Sequence, residues 1–388
     1  MTTIKFLAFD GASEQLFDDG KSRLTGYFPD EKIDLSSQNP DILYFLSGGS
    51  EREALTYAES GKFLLLVAFE ENNSYAAATE VKAYFDSIGQ DCQLADIKNE
   101  NDRRLIQAFI DAGKARERLK GKRLGLIGEV SEWLVASDIP GETLASKLGI
   151  ELVRIPWNEV RNYKDFTPDA AFLETFKTNE NLNISDAGRV HQALTEIISR
   201  KKLDAITVEC FSLVNENGVT ACLGLSKLND DHIPAGCEGD LASITGIMIA
   251  KEVTGIIPWM ANTVQVNPGS AKFAHCTAPT NLLSGFKIET HYETGLGTAV
   301  KGHFESDEIT IFRIDNTLEK AFLTTGTIIS RPQSKDACRT QIEVKISQNA
   351  AALLKNKPLG NHHLIIPGNQ TEKLGIFCKL KNIIVINS

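Results

Sequence analysis

The chain has 388 residues, with 41 Lys and Arg against 51 Asp and Glu and a formal charge of −10. At about 150 residues per domain this length predicts two or three domains, each large enough to bury a core without disulfides. The acidic balance lacks the basic footprint that phosphate-backbone binding needs, so nucleic acid is not an expected partner.

The opening residues MTTIKFLAFD carry no basic region followed by an apolar core and a small-residue cleavage site, and the longest apolar run, Phe63–Phe69, is far below a membrane span. A cytoplasmic protein with no membrane contact is expected. Ile4–Phe9, Ile42–Leu46, Phe63–Phe69, Leu124–Ile127 and Leu152–Ile155 are continuous apolar runs bounded by Gly, Asp or Pro, which predicts strands buried on both faces. Between them Ser74–Ile88, Arg103–Lys120 and Gly141–Lys147 have apolar residues at helical spacing. Residues 1–160 are therefore expected to form a doubly wound α/β domain with a mostly parallel sheet.

After the polar stretch Lys177–Asn183 a second α/β domain is expected over residues 161–265. Ser185–Arg200 carries Val190, Leu194, Ile197 and Ile198 on one helical face, and the strand Ala205–Val208 follows directly. A helix over Asp240–Val253 and a strand over Ile256–Asn262 continue the rhythm. Residues 266–388 are expected to form a C-terminal β-rich domain: after about residue 285 the texture changes, and Ile288–Tyr292, Ala299–Phe304, Glu308–Ile314, Phe322–Ser330 and Thr340–Ile346 alternate or carry β-branched residues, which predicts an antiparallel β module. Leu364–Ile366, a short helix over Thr371–Lys379 and the strand Ile383–Ile386 close the chain.

Ligand sites in open α/β sheets form at the carboxyl ends of strands. The polar residues there are Glu209, the Cys237-Glu238-Gly239-Asp240 tetrapeptide, Asn262, His275, and the Asn361-His362-His363 step before Leu364–Ile366. A carboxylate, a carboxamide and two imidazoles in one cleft would supply O and N donors to a divalent cation such as Mn²⁺. Singly, such residues are also helix-dipole partners or packing histidines. The segment Thr290–Gly297 reads either as a strand lining a sugar pocket or as a surface hairpin, and Ser47-Gly48-Gly49-Ser50 either as a backbone anion nest or as a tight βα turn. Seven scattered cysteines, with no CxxC pair, are expected to be free thiols, and Cys237 and Cys276 small buried packing residues.

At Cys237–Asp240 with Leu241–Gly255, Ile256–Asn262, Ala274–Pro279 and Gly360–His363 with Leu364–Asn387, the chain resembles the L-fucose isomerase and L-arabinose isomerase family. The resemblance covers residues 200 to 388 by motif and residues 1–160 in architecture only. It implies a fucose isomerase-like fold, a metal-dependent aldose–ketose isomerase acting on a small sugar through an enediol, and a homo-oligomer, trimer or hexamer. It also implies Mn²⁺ held by Glu238, Asn262, His275 and His362, with Glu238 the first proton-transfer candidate. Asn262 stands where the family has an acidic residue, and a carboxamide offers an oxygen but cannot accept a proton. Either another acid takes the proton, with Asp240 and Glu293 as candidates, or the chain is a non-catalytic sugar-binding or regulatory relative, or it runs another metal-assisted reaction on a sugar acid or sulfonated sugar.

Overall fold

Runs such as Leu64–Ala68, apolar at every position, leave no polar face for solvent and form strands only where helices cover both sides of a sheet. The computed structural model describes residues 2–35 and 38–386, which divide into two compact units, Met1–Glu117 with Gly375–Asn382 and Arg118–Leu374 with Ile383–Ser388.

In the first unit β1 (Thr2–Leu7), β2 (Ile33–Asp34), β3 (Ile42–Phe45), β4 (Leu64–Ala68) and β5 (Cys92–Asp96) form a parallel sheet in the order β2-β1-β3-β4-β5. Leu43, Phe45 and Leu66 pack against Ala77, Val81 and Phe85 of the helix Ser74–Ser87. Ser47–Ser50 is the tight turn leaving β3, with Gly49 left-handed (φ 80°) and Ser47 Oγ accepting the Phe9 N–H at 3.0 Å. This turn borders a cavity of about 680 Å³ at the sheet's carboxyl edge.

The second unit contains two sheets and a hairpin. β6 (Arg123–Ile127), β7 (Glu151–Ile155), β8 (Ala205–Val208) and β9 (Ala235–Cys237) form a parallel sheet in the order β7-β6-β8-β9. The sequence places β6 and β7 with the first sheet, yet they pair with β8 and β9. Short apolar strands of equal length carry no information about which parallel neighbour they join, because the partner is set by the crossover between them.

The β-rich region contains a closed ring. β10 (Trp259–Asn267), β11 (Ser270–His275), β14 (Glu308–Ile314), β15 (Lys320–Ser330), β16 (Thr340–Lys345) and β17 (His362–Pro367) run antiparallel in the order β14-β17-β10-β11-β16-β15, and β15 pairs back onto β14. Closure leaves these six strands without a bare edge. β12 (Leu283–Glu289) and β13 (Ala299–Phe304) form a separate hairpin, and β18 (Ile384–Ile386) lies parallel to β15. Trp259, Phe273, Ile311, Phe322, Ile342 and Ile365 belong to the hydrophobic core here. β12 ends at Glu289, so Thr290–Gly297 is loop rather than strand: His291 N–H donates to Leu296 O and Gly295 N–H to His291 O.

The helix Leu241–Thr254 packs on β8 and β9 on one side and on β14 and β17 on the other. Every residue from Leu241 to Ala250 is buried, as expected of a helix that is apolar around its whole circumference. Gly246 is needed there, since a Cβ would stand 2.7 Å from Leu364 Cδ1. Among the described residues no helix is long and apolar enough to cross a membrane.

Helix Ile184–Lys201 buries Val190, Leu194, Ile197 and Ile198, and on the same face His191, whose ring stacks on Phe172 at 5.1 Å. Neither ring nitrogen of His191 has a hydrogen-bond partner among the described residues, and burial depresses its pKa to about 4. The neutral ring is therefore favoured by folding. Its contribution is complete above the unfolded pKa near 6.5 and is lost as pH falls towards 4, by up to about 3 kcal/mol. His191→Leu is expected to reduce the loss of stability between pH 7 and pH 5, measured by urea unfolding at both values; an unchanged difference would refute this account.

Candidate metal centre

Glu238 follows β9 and starts the turn into the helix Leu241–Thr254. Glu238 (φ 60°) and Gly239 (φ 68°) are both left-handed, a conformation that costs a non-glycine residue about 1–3 kcal/mol and persists only where the surroundings enforce it. At residue 239 only glycine fits, because a Cβ would overlap the Glu129 carbonyl oxygen and stand 2.9 Å from Val130 Cα. The loop after β6 grips the turn along its length. Ser131 N–H donates to Glu238 O (3.1 Å), Trp133 Nε1 to Glu238 Oε2 (2.7 Å) and Ser137 Oγ to Asp240 Oδ2 (3.2 Å), and Ala242 N–H donates to Ser137 O (3.1 Å).

Barrel strands supply the two imidazoles: His275 ends β11 and His362 begins β17. Their Nε2 atoms stand 3.7 Å and 3.5 Å from Glu238 Oε1. One donor atom from each of Glu238, His275 and His362 lies within 4.8 Å of the others. The outer nitrogens are anchored, His275 Nδ1 to Thr277 Oγ1 (2.9 Å) and His362 Nδ1 to Asp240 Oδ2 (2.8 Å), so both Nε2 atoms are left for the centre. His362 Nε2 is buried without a hydrogen-bond partner among the described residues. An orphaned imidazole nitrogen beside a second imidazole and a carboxylate oxygen fits a divalent cation that accepts mixed O and N donors, with Mn²⁺ within that class.

The carboxylates create a field that favours positive charge, for which a proton and a metal cation compete at His362 Nε2. Burial alone would raise the carboxyl pKa of Glu238, but the imidazoles of His275 and His362 outweigh it and hold the group well below the usual carboxylate range. Burial pulls His362 down, yet the Asp240 and Glu238 carboxylates lift it to about 9. For His275 burial prevails and the pKa falls. Asp240 is driven up by burial but held at about 2 by the Arg313 guanidinium and His362.

Asp240 is not placed to exchange protons with a substrate. It is fully buried, and both oxygens are engaged: Oδ1 accepts Ser243 N–H (2.7 Å), while Oδ2 accepts Ser243 Oγ (2.8 Å), Ser137 Oγ and His362 Nδ1, with Arg313 Nη1 at 3.6 Å. It caps the helix and orients His362. Glu293 is different. Its side chain is 45% exposed on the loop between β12 and β13, 3.9 Å from His291 Nε2, and partial burial followed by the charge of Glu238 raises its pKa. Asn262 lies on β10 directly opposite His362. Its Oδ1 accepts from Asn361 Nδ2, and its Nδ2 stands 3.9 Å from Cys338 Sγ, so a cation would compete with Asn361 for the carboxamide oxygen. Glu209 is a helix cap, accepting Phe211 N–H and Ser212 N–H at 3.1 Å each. All seven cysteines are free and buried.

Trp133, Ser137 and Arg313 escape the sequence reading. The rule that points to strand ends reaches Trp133, which lies six residues after β6 in the loop that follows it. Nothing in the sequence pairs Arg313 on β14 with Asp240. Asp240→Asn is expected to lower Mn²⁺ affinity by about 10- to 100-fold by releasing His362, as measured by calorimetry on protein that retains its circular dichroism spectrum. An unchanged affinity would contradict the orienting role.

No family model matches the chain. It is 22% identical over 292 residues to a sulfoquinovose isomerase of Alkalicoccus urumqiensis, covering 70% of this chain and 66% of that one. To a sulfoquinovose isomerase of Priestia aryabhattai it is 24% identical over 301 residues, covering 72% and 67%. A third, from Clostridium sp. (strain MSTE9), is 20% identical over 293 residues, covering 69% and 65%. The matched stretch thus spans about two thirds of the length of these relatives.

Proposed function

We propose that the chain is a divalent-cation-dependent aldose–ketose isomerase acting on a sugar, of the fucose isomerase-like type, and that a sulfonated hexose such as sulfoquinovose is the first substrate to test. The observation that carries this reading is the convergence of Glu238, His275 and His362, with a partly exposed carboxylate, Glu293, on the loop beside them. The similarity to sulfoquinovose isomerases supports it. A bound cation would supply positive charge beside two adjacent substrate oxygens and so stabilise the enediolate that forms between them.

The chain's own groups divide the remaining work. Glu238, His275 and His362 hold the centre, and Asp240 fixes the ring of His362. Glu238 has one oxygen facing the imidazoles and the other on Trp133, which leaves it poorly free to shuttle a proton. Glu293 is the better proton carrier: it removes the proton from the carbon next to the carbonyl and returns it to the former carbonyl carbon, while the hydroxyl proton of the first carbon passes to the former carbonyl oxygen, so aldose becomes ketose with no external oxidant or reductant. This gives the chain an acid in place of the one absent at Asn262. The homo-oligomer, trimer or hexamer, and the cytoplasmic location belong to the same proposal.

The rival reading, a sugar-binding relative without turnover, is favoured by Asn262 alone. One experiment separates the two. Wild type with Mn²⁺ in D₂O is expected to incorporate solvent deuterium into the product ketose from sulfoquinovose or another aldose of a panel, and Glu293→Gln to lower turnover by about 10²-fold or more with Mn²⁺ affinity unchanged. Sugar binding with neither exchange nor ketose would replace the isomerase reading with the binding-protein one.

A further inference from the structure

One side of the metal centre is aromatic and open. Trp133 keeps 54% of its surface exposed, yet its single polar atom is directed inward onto Glu238 Oε2 at 2.7 Å. Its ring meets the ring of Phe211 edge-on, with centroids 4.8 Å apart and planes at 82°. Phe211 in turn meets His291 at 5.8 Å and 74°, and His291 stands 3.9 Å from Glu293. The strip Trp133–Phe211–His291 therefore runs from the metal-ligating carboxylate to the proposed proton carrier.

The two ends of Trp133 do different things. A Glu carboxylate turns readily about its last torsion, which is broad and nearly two-fold, so either oxygen can face the imidazoles unless something holds the group. An indole N–H can only donate, and a charge-assisted bond of this length removes that freedom. The opposite, solvent-facing surface of the indole is apolar. Such a surface suits the C–H side of a sugar, whose hydroxyls can then turn towards polar groups.

We propose that Trp133 is a positioning residue with two linked tasks: its N–H sets the Glu238 carboxylate with Oε1 towards His275 and His362, and its exposed ring, backed by Phe211, is the wall on which the substrate's C–H surface rests. The second task rests on the sugar-isomerase reading; the first does not.

Mn²⁺ titrated calorimetrically into wild type, Trp133→Phe and Trp133→Ala tests the first task, with circular dichroism as the check on folding. Both variants lose the donor and are expected to bind Mn²⁺ about tenfold more weakly. KM and kcat for sulfoquinovose at saturating Mn²⁺ test the second. Trp133→Phe keeps a ring and should stay within about threefold of the wild-type KM, whereas Trp133→Ala should raise it about tenfold or more. Wild-type Mn²⁺ affinity in Trp133→Phe overturns the carboxylate task, and equal KM values for the two variants overturn the wall. If wild type binds Mn²⁺ but converts no sugar, the isomerase reading and the wall fall together, while the Mn²⁺ comparison still decides the carboxylate task. A wild type that binds no Mn²⁺ overturns both tasks.

Discussion

The buried carboxylate of Asp240 ties together the parts of the second unit that make the site. It caps the helix Leu241–Thr254 through Ser243, accepts from Ser137 of the loop after β6, and reaches His362 at the start of β17. Arg313, on β14 and 1% exposed, balances its charge while donating to Ser243 Oγ (3.2 Å), Ser137 Oγ (3.0 Å) and the His362 carbonyl (2.6 Å). Gly360, just before β17, lets the guanidinium lie against the backbone, since any side chain there would overlap it. Breaking one member of a buried charged network leaves the other uncompensated, typically at about 3–5 kcal/mol. Such a knot is a weak contributor to stability, but it fixes the parallel sheet, the helix and the barrel in one register, and the candidate metal centre inherits that register.

Three carboxylates lie near the candidate centre, and their environments push their pKa values apart, the pattern on which the proposed division of roles rests. Asp240, surrounded by donors and without solvent, stays ionised and supports. Glu238, between two imidazoles and an indole N–H, stays ionised and holds. Glu293, partly exposed and facing a like charge, takes up a proton more readily than either. The backbone strain at Glu238 belongs to the same design: the left-handed turn aims the carboxylate back at β11 and β17, and the loop from Glu129 to Ser137 holds it there. Under the proposed function Asn262 is a position released from proton transfer. Its carboxamide links β10 to Asn361, a bond that an ionised acid could equally accept.

Much of the architecture was legible in the chain because burial leaves a direct mark on composition. Continuous apolar runs announced the parallel strands, alternation and β-branching announced β13 to β16, and a helix was legible over Asp240–Val253, though not that it is buried on every side. Glu238, His275 and His362 were visible as polar residues at strand ends. Their convergence was implied by the family resemblance alone, since the first and the last lie 124 positions apart and local periodicity carries no information about partners so distant. The tertiary structure alone decided that β6 and β7 join β8 and β9, that the barrel closes through β14 and β15, and that Arg313 answers Asp240. It also decided which carboxylate lies buried and which is open, because exposure depends on what other segments place over a residue, and that is a property of packing rather than of neighbours in the chain.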